Sequence, residues 1–245
     1  MAKPPMRRIR GSVFVSLDGV MQAPGGPSED PTGGFEHGGW LPQFFDEDVG
    51  AAIDAFFAGD YDLLLGRRTY EIFAAYWPYV GGDATGIGEI FERAGKDEGE
   101  AAAIEMGEAF TRANKYVLTR GTPDLGWSNS HRIGSIDELR ALREADGPDL
   151  LIQGSSTLYP ALIAQGLLDR LTLMTFPVVL GGGKRLFGQG MTARALRMIE
   201  SSVTRSGAVI ATYEPAGKVE HGWAGPQSTS DREEARQRAM AEGRW

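Results

Sequence analysis

Cysteine is missing from the 245-residue chain, which excludes disulfide bonds and thiolate chemistry. No apolar run approaches the ~20 residues of a membrane-spanning helix, and the start, MAKPPMRRIRG, has no apolar segment of a secretory signal. The three histidines, His37, His131 and His221, form no pair at metal-ligand spacing. We therefore expect a cytoplasmic protein with no membrane segment and no metal site.

The chain also has no excess of basic residues: it contains 25 Lys and Arg residues and 33 Asp and Glu residues, which gives a formal net charge of −8. Binding to a nucleic-acid backbone needs a basic face, so nucleic acid is not an expected partner. Any anionic ligand must be held by local groups. Glycine is abundant instead, with 34 residues in clusters, a pattern typical of loops in which the backbone passes close to another group.

Apolar runs alternate with helical periodicities along the chain. The runs IRGSVFVS, YDLLLG, NKYVLTR, DLLIQG and LDRLTLMTFPVVL predict strands, and ALRMIESSV with AVIATYEP predicts a closing hairpin joined through residues 204–207. Amphipathic patterns predict helices over 42–59, over 67–76, from Ser135 onward and over SSTLYPALIAQG. This alternation predicts one α/β domain with a mixed, mostly parallel sheet, helices on both faces and ligands at the carboxyl ends of strands.

Three segments fall outside this alternation. Residues 20–39 are too rich in Gly and Pro for a regular element, and a loop of that length is usually functional or mobile. We interpret residues 81–112 as an insertion, partly helical and weakly packed. Residues 216–245 have little apolar content and are interpreted as a tail with an exposed helix from Asp231. The main domain is therefore expected over residues 7–215.

The stretch LLLGRRTYEIF predicts an anion-binding turn. A buried strand runs into Gly66 and then into a helix whose first N–H groups lack intrahelical partners, at the positive end of the helix dipole. Arg67, Arg68 and Thr69 add charge and a hydroxyl group. The alternative is an ordinary turn whose arginines are solvated.

A second stretch, LLIQGSSTLY, has the same arrangement, with an apolar strand followed by Gly154, Ser155, Ser156 and Thr157 where a helix begins. Two such turns suit a ligand with separated phosphate groups. In YVLTR, Thr119 and Arg120 end another strand. The alternative is that the hydroxyl side chains are ordinary helix caps.

Asp18 is the candidate catalytic residue, because it ends the first strand beside the long glycine-rich loop, where a carboxylate could orient a substrate or relay a proton. The alternative is simple Asp-Gly turn chemistry. In VVLGGGKRLF, Gly182 and Gly183 suit either close approach of the backbone to a cofactor or a tight bend between strands. Both interpretations stay open for each site.

These strings resemble the dihydrofolate-reductase-like superfamily, and most closely the reductase domain of the bifunctional riboflavin-biosynthesis deaminase-reductase. The resemblance rests on SLDG, LLLGRRTYE, YVLTR, IQGSSTLYPALI and PVVLGGGKRLF, in that order. It implies a three-layer sandwich, a homodimer and NADPH as cofactor. It further implies that Arg67 and Arg120 hold the 2′-phosphate, Thr69 and the Gly66 turn the pyrophosphate region, and residues 154–157 the other side of the cofactor.

The resemblance departs at two positions. Dihydrofolate reductases carry an acidic residue five positions after a Trp, whereas Phe45 stands five positions after Trp40 and the first carboxylate is Asp46. The riboflavin-pathway reductases usually have an acidic residue where Gln153 precedes Gly154. The zinc-site pattern of the deaminase half is missing, which implies a stand-alone reductase domain.

The expected activity is hydride transfer from NADPH to a C=N or C=O carbon of a small pyrimidine-like, pterin-like or sugar-like substrate, similar to that of 5-amino-6-(5-phosphoribosylamino)uracil reductase. One alternative is a non-catalytic nucleotide-binding protein that retains the cofactor turns without turnover. Another is a flavin-dependent reductase with a different fold.

Overall fold

A single eight-stranded sheet organises the computed structural model, which describes residues 6–82, 88–96, 99–188, 190–224 and 230–244. The strands are β1 (Ile9–Ser16), β2 (Tyr61–Gly66), β3 (Lys115–Leu118), β4 (Ser130–Ile133), β5 (Asp149–Gln153), β6 (Arg170–Phe176), β7 (Leu196–Val203) and β8 (Val209–Pro215). Their order is β4-β3-β2-β5-β1-β6-β8-β7. The first six are parallel, and β8 pairs antiparallel with both β6 and β7.

Helices cover both faces of the sheet, as predicted. They are α1 (Glu47–Phe56), α2 (Arg67–Ala74), α3 (Gly88–Arg93), α4 (Gly99–Arg112), α5 (Ile136–Glu144), α6 (Leu158–Ala164) and α7 (Asp231–Ala241). Side chains alternate along β2: Leu64 packs with α5 and α6 on one face, whereas Leu63 and Leu65 pack with α1, α2 and α4 on the other. The predicted α/β class, mixed sheet and C-terminal antiparallel hairpin are therefore confirmed.

Helix α1 begins five residues later than predicted. Asp46 adopts an extended backbone, and its side chain accepts a hydrogen bond of 2.9 Å from the N–H of Val49, so it caps the helix. Pro42 instead starts a separate 3-10 turn that ends at Phe44. The predicted start at Pro42 is wrong because the extended backbone of Phe45 and Asp46 interrupts the helical path between this turn and α1.

The segment predicted as a weakly packed insertion contains a core helix. Phe110 of α4 is fully buried, and its ring lies 4.9 Å from that of Trp77 and 5.9 Å from that of Phe73. Weak packing is therefore wrong for α4, which crosses from β2 to β3. The parts of the segment at 83–87, 97 and 98 lie outside the described residues.

The other predicted elements are present with changes of bounds: α2 ends at Ala74, and α6 begins at Leu158, after residues 155–157. The short edge strand β4 was not predicted, because SHRI has one buried residue and no alternation. Strand β6 ends at Phe176, one residue before Pro177, which has no N–H for the ladder. The hairpin of β7 and β8 and the tail helix α7 are present as predicted, and α7 buries no side chain. No helix in the described ranges is long and apolar enough to cross a membrane.

Candidate active site

Two strand-to-helix turns touch each other at the carboxyl edge of the sheet. Strands β2 and β5 are parallel neighbours, so the turn after β2 lies beside the turn after β5. The hydroxyl oxygen of Ser155 accepts a hydrogen bond of 2.8 Å from the backbone N–H of Gly66 and lies 2.7 Å from the hydroxyl oxygen of Thr69. The structure thus brings both predicted turns into one site.

The close approach of the two turns depends on backbone geometry. Gly154 and Ser155 both have positive φ, +80° and +71°, and a non-glycine residue in that region indicates local strain that the surroundings maintain. A Cβ at Gly66 would lie 2.6 Å from the Ser155 hydroxyl oxygen, and a Cβ at Gly154 would lie 3.1 Å from Cγ2 of Thr69. The N–H of Gly66, at the end of β2, is therefore bound by Ser155.

The third predicted turn lies at the same edge. Gly66 and Leu118 are register partners in β2 and β3, so Arg67 and Thr119 follow adjacent strand ends. The side chains of Arg67, Arg68 and Arg120 are exposed, and Arg67 also pairs with Glu71 at 3.0 Å. This edge concentrates positive charge in an acidic chain.

Asp18 lies in the turn after β1, where its carboxylate accepts several hydrogen bonds. Oδ1 accepts from the Ser16 hydroxyl at 2.7 Å and from the N–H of Leu180 at 3.0 Å. Oδ2 accepts from the N–H of Gly181 at 3.0 Å and pairs with Arg185 at 3.1 Å. The carboxylate therefore fastens the first turn to the glycine-rich loop of residues 180–185.

These contacts also set the charge of Asp18. The hydrogen bond from Ser16 is the largest cause that lowers its pKa to about 2, and the N–H groups of Leu180 and Gly181 lower it further, against a smaller opposing effect of burial. Asp18 is consequently ionised at neutral pH. A carboxylate in this state holds neighbouring donors but has no proton to give.

The glycine-rich loop packs against residues 20–39. A Cβ at Gly183, whose φ is +119°, would lie 2.7 Å from Cγ1 of Val20 and 2.9 Å from Cε2 of Phe35. The buried amide of Gln22 accepts a hydrogen bond of 2.9 Å from the N–H of Lys184. The ammonium group of Lys184 pairs with Asp30. Residues 20–39 are thus an irregular segment, as predicted, that is tied to the site by specific polar contacts.

Two cavities flank the glycine-rich loop. The first, of about 360 Å³, is lined by the turn before α6, by α6, by the end of the glycine-rich loop and by the chain after it: Ser156, Pro160, Ala164, Lys184, Arg185, Gly188, Gly190, Met191 and Thr192. The second, of about 420 Å³, is lined by Gln22, Thr32, Gly33, Gly34, Phe35, Glu36, His37, Gly182, Gly183 and Lys184. Because Arg185 binds Asp18 and lines the first cavity with Ser156, the first turn and the turn after β5 share one cleft.

The RibD C-terminal domain matches residues 7–211 of the chain. The chain belongs to the RibD C-terminal domain family. A curated relative, the uncharacterized protein YyaP of Bacillus subtilis (strain 168), is 25% identical over 209 residues, which cover 84% of this chain and 94% of YyaP.

Two solved structures share the fold of this RibD C-terminal domain. A Shewanella sp. PV-4 protein assigned to riboflavin biosynthesis has a TM-score of 0.53 at 17% identity, covering 86% of this chain and 99% of its own. A dihydrofolate reductase from Enterococcus faecalis, complexed with NADP(H) and RAB-propyl, has a TM-score of 0.51 at 14% identity, covering 85% of this chain and 96% of its own. The predicted dihydrofolate-reductase-like fold is confirmed.

Four polar residues of this RibD C-terminal domain were missed in the sequence: Ser16, Gln22, Lys184 and Arg185. Ser16 is buried and also accepts a hydrogen bond of 2.9 Å from the N–H of Val20. The string GGGKR could have indicated Lys184 and Arg185, because two cations directly follow three glycines. In the structure, Lys184 pairs with Asp30 and Arg185 pairs with Asp18. Gln22 carried no signal, since its partners lie 8 to 162 positions away.

Asp46, the first carboxylate after Trp40, has a structural position in this family member. Besides capping α1, it accepts a hydrogen bond of 2.7 Å from the N–H of Ser206 in the turn between β7 and β8. Burial raises the pKa of Asp46, and the hydrogen bonds from Val49 and Ser206 outweigh this effect, so that the net shift is downward. Asp46 therefore connects α1 to the closing hairpin.

Proposed function

We propose that this chain is an NADPH-dependent reductase that transfers a hydride to a small pyrimidine-like or pterin-like substrate. The observation that carries the proposal is the contact between the turns after β2 and β5, made by Ser155 with Gly66 and Thr69. Two adjacent turns of this kind suit one ligand with two phosphate groups. Family membership and a fold shared with a dihydrofolate reductase complexed with NADP(H) support the same function.

The described residues fit such a cofactor. Gly154 faces Thr69 without a Cβ, which lets the two turns approach each other closely. Exposed cations stand at the ends of β2 and β3, as a 2′-phosphate requires. We propose that Arg67 and Arg120 hold that phosphate with Arg68 beside them, that Gly66, Thr69 and Thr119 line the pyrophosphate region, and that residues 154–157 hold the opposite side.

The chemical contribution of NADPH, when bound, is the hydride, and the chain's own residues bind, orient and exclude water. Asp18 orients the glycine-rich loop through Leu180 and Gly181, and Gly182 and Gly183 then form the wall of the second cavity. We propose that Asp18 acts through this loop. Its direct contact with a substrate stays a prediction.

Of the two alternative functions, the non-catalytic nucleotide-binding protein is compatible with this fold, and the flavin-dependent reductase was expected on another fold. A non-catalytic nucleotide-binding protein would use the same turns and differs only in lacking turnover. The flavin-dependent reductase was tied to a different fold, and the fold observed is the dihydrofolate-reductase-like one. Oxidation of NADPH in the presence of a reducible heterocycle distinguishes the enzyme from the surviving alternative.

Arg67→Ala is expected to weaken NADPH binding by about 1.5–3 kcal/mol, because it removes one charge-assisted contact with the 2′-phosphate. Binding of NADH, which has no such phosphate, should change little. Calorimetric titration of both cofactors into both proteins measures the difference.

Arg112→Ala is the matched control, because Arg112 also pairs with a glutamate four residues away on an exposed helix surface, at 3.3 Å from Glu108. It should leave both affinities unchanged. Equal affinity of the native protein for NADPH and NADH, or an unchanged preference in Arg67→Ala, contradicts the placement of the 2′-phosphate.

We also propose that two copies of the chain pair through β7. All eight residues of this edge strand are exposed, and Leu196, Met198, Ile199 and Val203 are apolar. A long, exposed, apolar edge is a template for strand pairing. The edge carries Arg197 and Glu200 on either side of its centre, so the charges of two copies related by a two-fold axis can complement each other.

Met198→Lys is expected to convert the protein from twice the 26.5 kDa chain mass to a single chain, because a charge on the edge opposes pairing. Sedimentation equilibrium measures the mass. Met6→Lys is the control, since Met6 and Met198 are both 54% exposed and Met6 lies outside β7. A native protein of single-chain mass would contradict the proposed interface.

A further inference from the structure

A histidine lines the second cavity and has no part in the contacts described above. The ring of His37 stands edge-on to the ring of Phe35, with 5.8 Å between centroids and 86° between planes. Phe35 in turn packs where Gly183 has no Cβ. His37 is therefore positioned through Phe35 against the glycine-rich loop that Asp18 holds.

The charged groups that face this cavity are Glu36, His37 and Lys184, with Asp30 behind Lys184. Lys184 donates to Asp30 and, at 2.8 Å, to the hydroxyl of Thr32, so its ammonium group is engaged. The other two histidines lie elsewhere: His131 is on β4 against Tyr116 and Asn114, and His221 follows β8.

Reduction of a C=N bond consumes one hydride and one proton. Asp18 does not fit the proton step, because it is ionised at neutral pH and both of its oxygens already accept hydrogen bonds. The donor must be a group that holds a proton near neutral pH and reaches an open cavity. Histidine is the side chain whose ordinary pKa lies in that range.

We propose that the second cavity binds the substrate and that His37 is the catalytic acid of the reduction. The proposal rests on the reductase function proposed above. Bound NADPH would supply a hydride to the carbon of the C=N bond, and the π electron pair of that bond would move to the nitrogen. That nitrogen takes the proton from the imidazolium N–H of His37, and the neutral imidazole regains a proton from water. The substrate gains two electrons and the nicotinamide is oxidised by two.

The experiment measures NADPH oxidation with 6,7-dimethyl-7,8-dihydropterin, which carries a C=N bond, for the native protein, His37→Gln and His37→Ala between pH 5 and 9. Native kcat/KM is expected to pass through one inflection and to fall as pH rises, because the acid form of the catalytic group donates the proton. His37→Gln should lose that inflection and fall about 10²–10⁴-fold at pH 7. Added imidazole should restore part of the rate of His37→Ala in proportion to its concentration.

His131→Gln is the matched control and should keep the native profile, because His131 is an exposed histidine outside the proposed site. Calorimetric titration with NADPH accompanies each assay. An active His37→Gln with the native pH profile overturns the role of His37 and leaves the reductase function standing. A native protein that binds NADPH and oxidises none of it with the dihydropterin overturns the reductase function toward pterin-like substrates, and with it this inference.

Discussion

Asp18→Ala is expected to lower the free energy of unfolding by about 1–3 kcal/mol and kcat/KM by about 100-fold. The substitution leaves the N–H groups of Leu180 and Gly181 without their acceptor and removes the ion pair of Arg185, whose guanidinium still donates to the carbonyl of Gly181. The glycine-rich loop then loses one of its attachments to the turn after β1 and keeps others, such as the hydrogen bond from the N–H of Met21 to the carbonyl of Lys184. A misplacement of about 1 Å near the reacting atoms can cost that much in rate. Urea denaturation and steady-state kinetics measure the two effects.

The stabilisation from Asp18 should depend on pH. Its pKa is about 2 in the folded chain and 3.8 ordinarily, so the unfolded chain binds the proton first as pH falls. The contribution is therefore complete above pH 4 and is lost as pH falls through 2. The full shift corresponds to about 2 kcal/mol, and solvent screening at a side chain 19% exposed lowers the expected contribution to about 1 kcal/mol.

Asp18→Asn tests whether the negative charge of the Asp18 carboxylate is needed, and Asp124→Ala is the control at another aspartate. The amide that replaces the carboxylate would present an N–H₂ group to one of the two backbone donors, so Asp18→Asn should lose most of the stability and its acid dependence. Asp124 is exposed, and its replacement should change neither. An Asp18→Ala variant with native stability between pH 2 and 7 would show that the carboxylate does not hold the loop.

Gly11→Ala is expected to destabilise the fold by about 3 kcal/mol through overpacking. A Cβ at Gly11 of β1 would overlap Cε1 of Tyr159 and lie 2.9 Å from its hydroxyl oxygen. The ring cannot swing away freely, since that oxygen lies 3.1 Å from the carbonyl oxygens of Ser12 and Ile152. Because Tyr159 belongs to α6, the strain should displace the turn of Ser155 and weaken cofactor binding as well.

A double-mutant cycle tests this origin of the effect. Tyr159→Leu removes the overlapping atom, so the variant with both substitutions should lose less stability than the sum of the two single variants. Gly26→Ala is the control, because a Cβ there has open space and no unusual φ. Additive losses in the cycle would mean that Gly11 and Tyr159 do not compete for the same space.

The sequence predicted the layers of the fold better than its details. Apolar runs such as YDLLLG, alternating with helical periodicities, and a closing pair of β-rich runs were enough for the sheet, the two helical faces and the hairpin. The start of α1 was misplaced because Pro42 and Asp46 both carry helix-start signals, and the hydrogen bond from Val49 decides between them. Strand β4 has four residues, which is too few for a periodic signal.

The separate turns of the candidate site could be predicted from the sequence, but the contacts between these turns could not. Each turn has a local signature, but Gly66 and Ser155 are 89 positions apart, and their contact follows from β5 inserting between β2 and β1. Sheet order of this kind depends on competition among all the strands. The same reasoning applies to Asp18, whose partners after β6 lie more than 160 positions away.

The exposed arginines at the ends of β2 and β3 give this acidic protein an uneven electric field. A negatively charged molecule that approaches from most directions meets repulsion from a body with a net charge of −8, whereas the edge with Arg67, Arg68 and Arg120 attracts it. Diffusing anions are thereby turned toward one end of the molecule before any contact forms. Added salt shortens the range of both the repulsion and the attraction. It should therefore lower the association rate of an anion by a larger factor than it raises the dissociation rate.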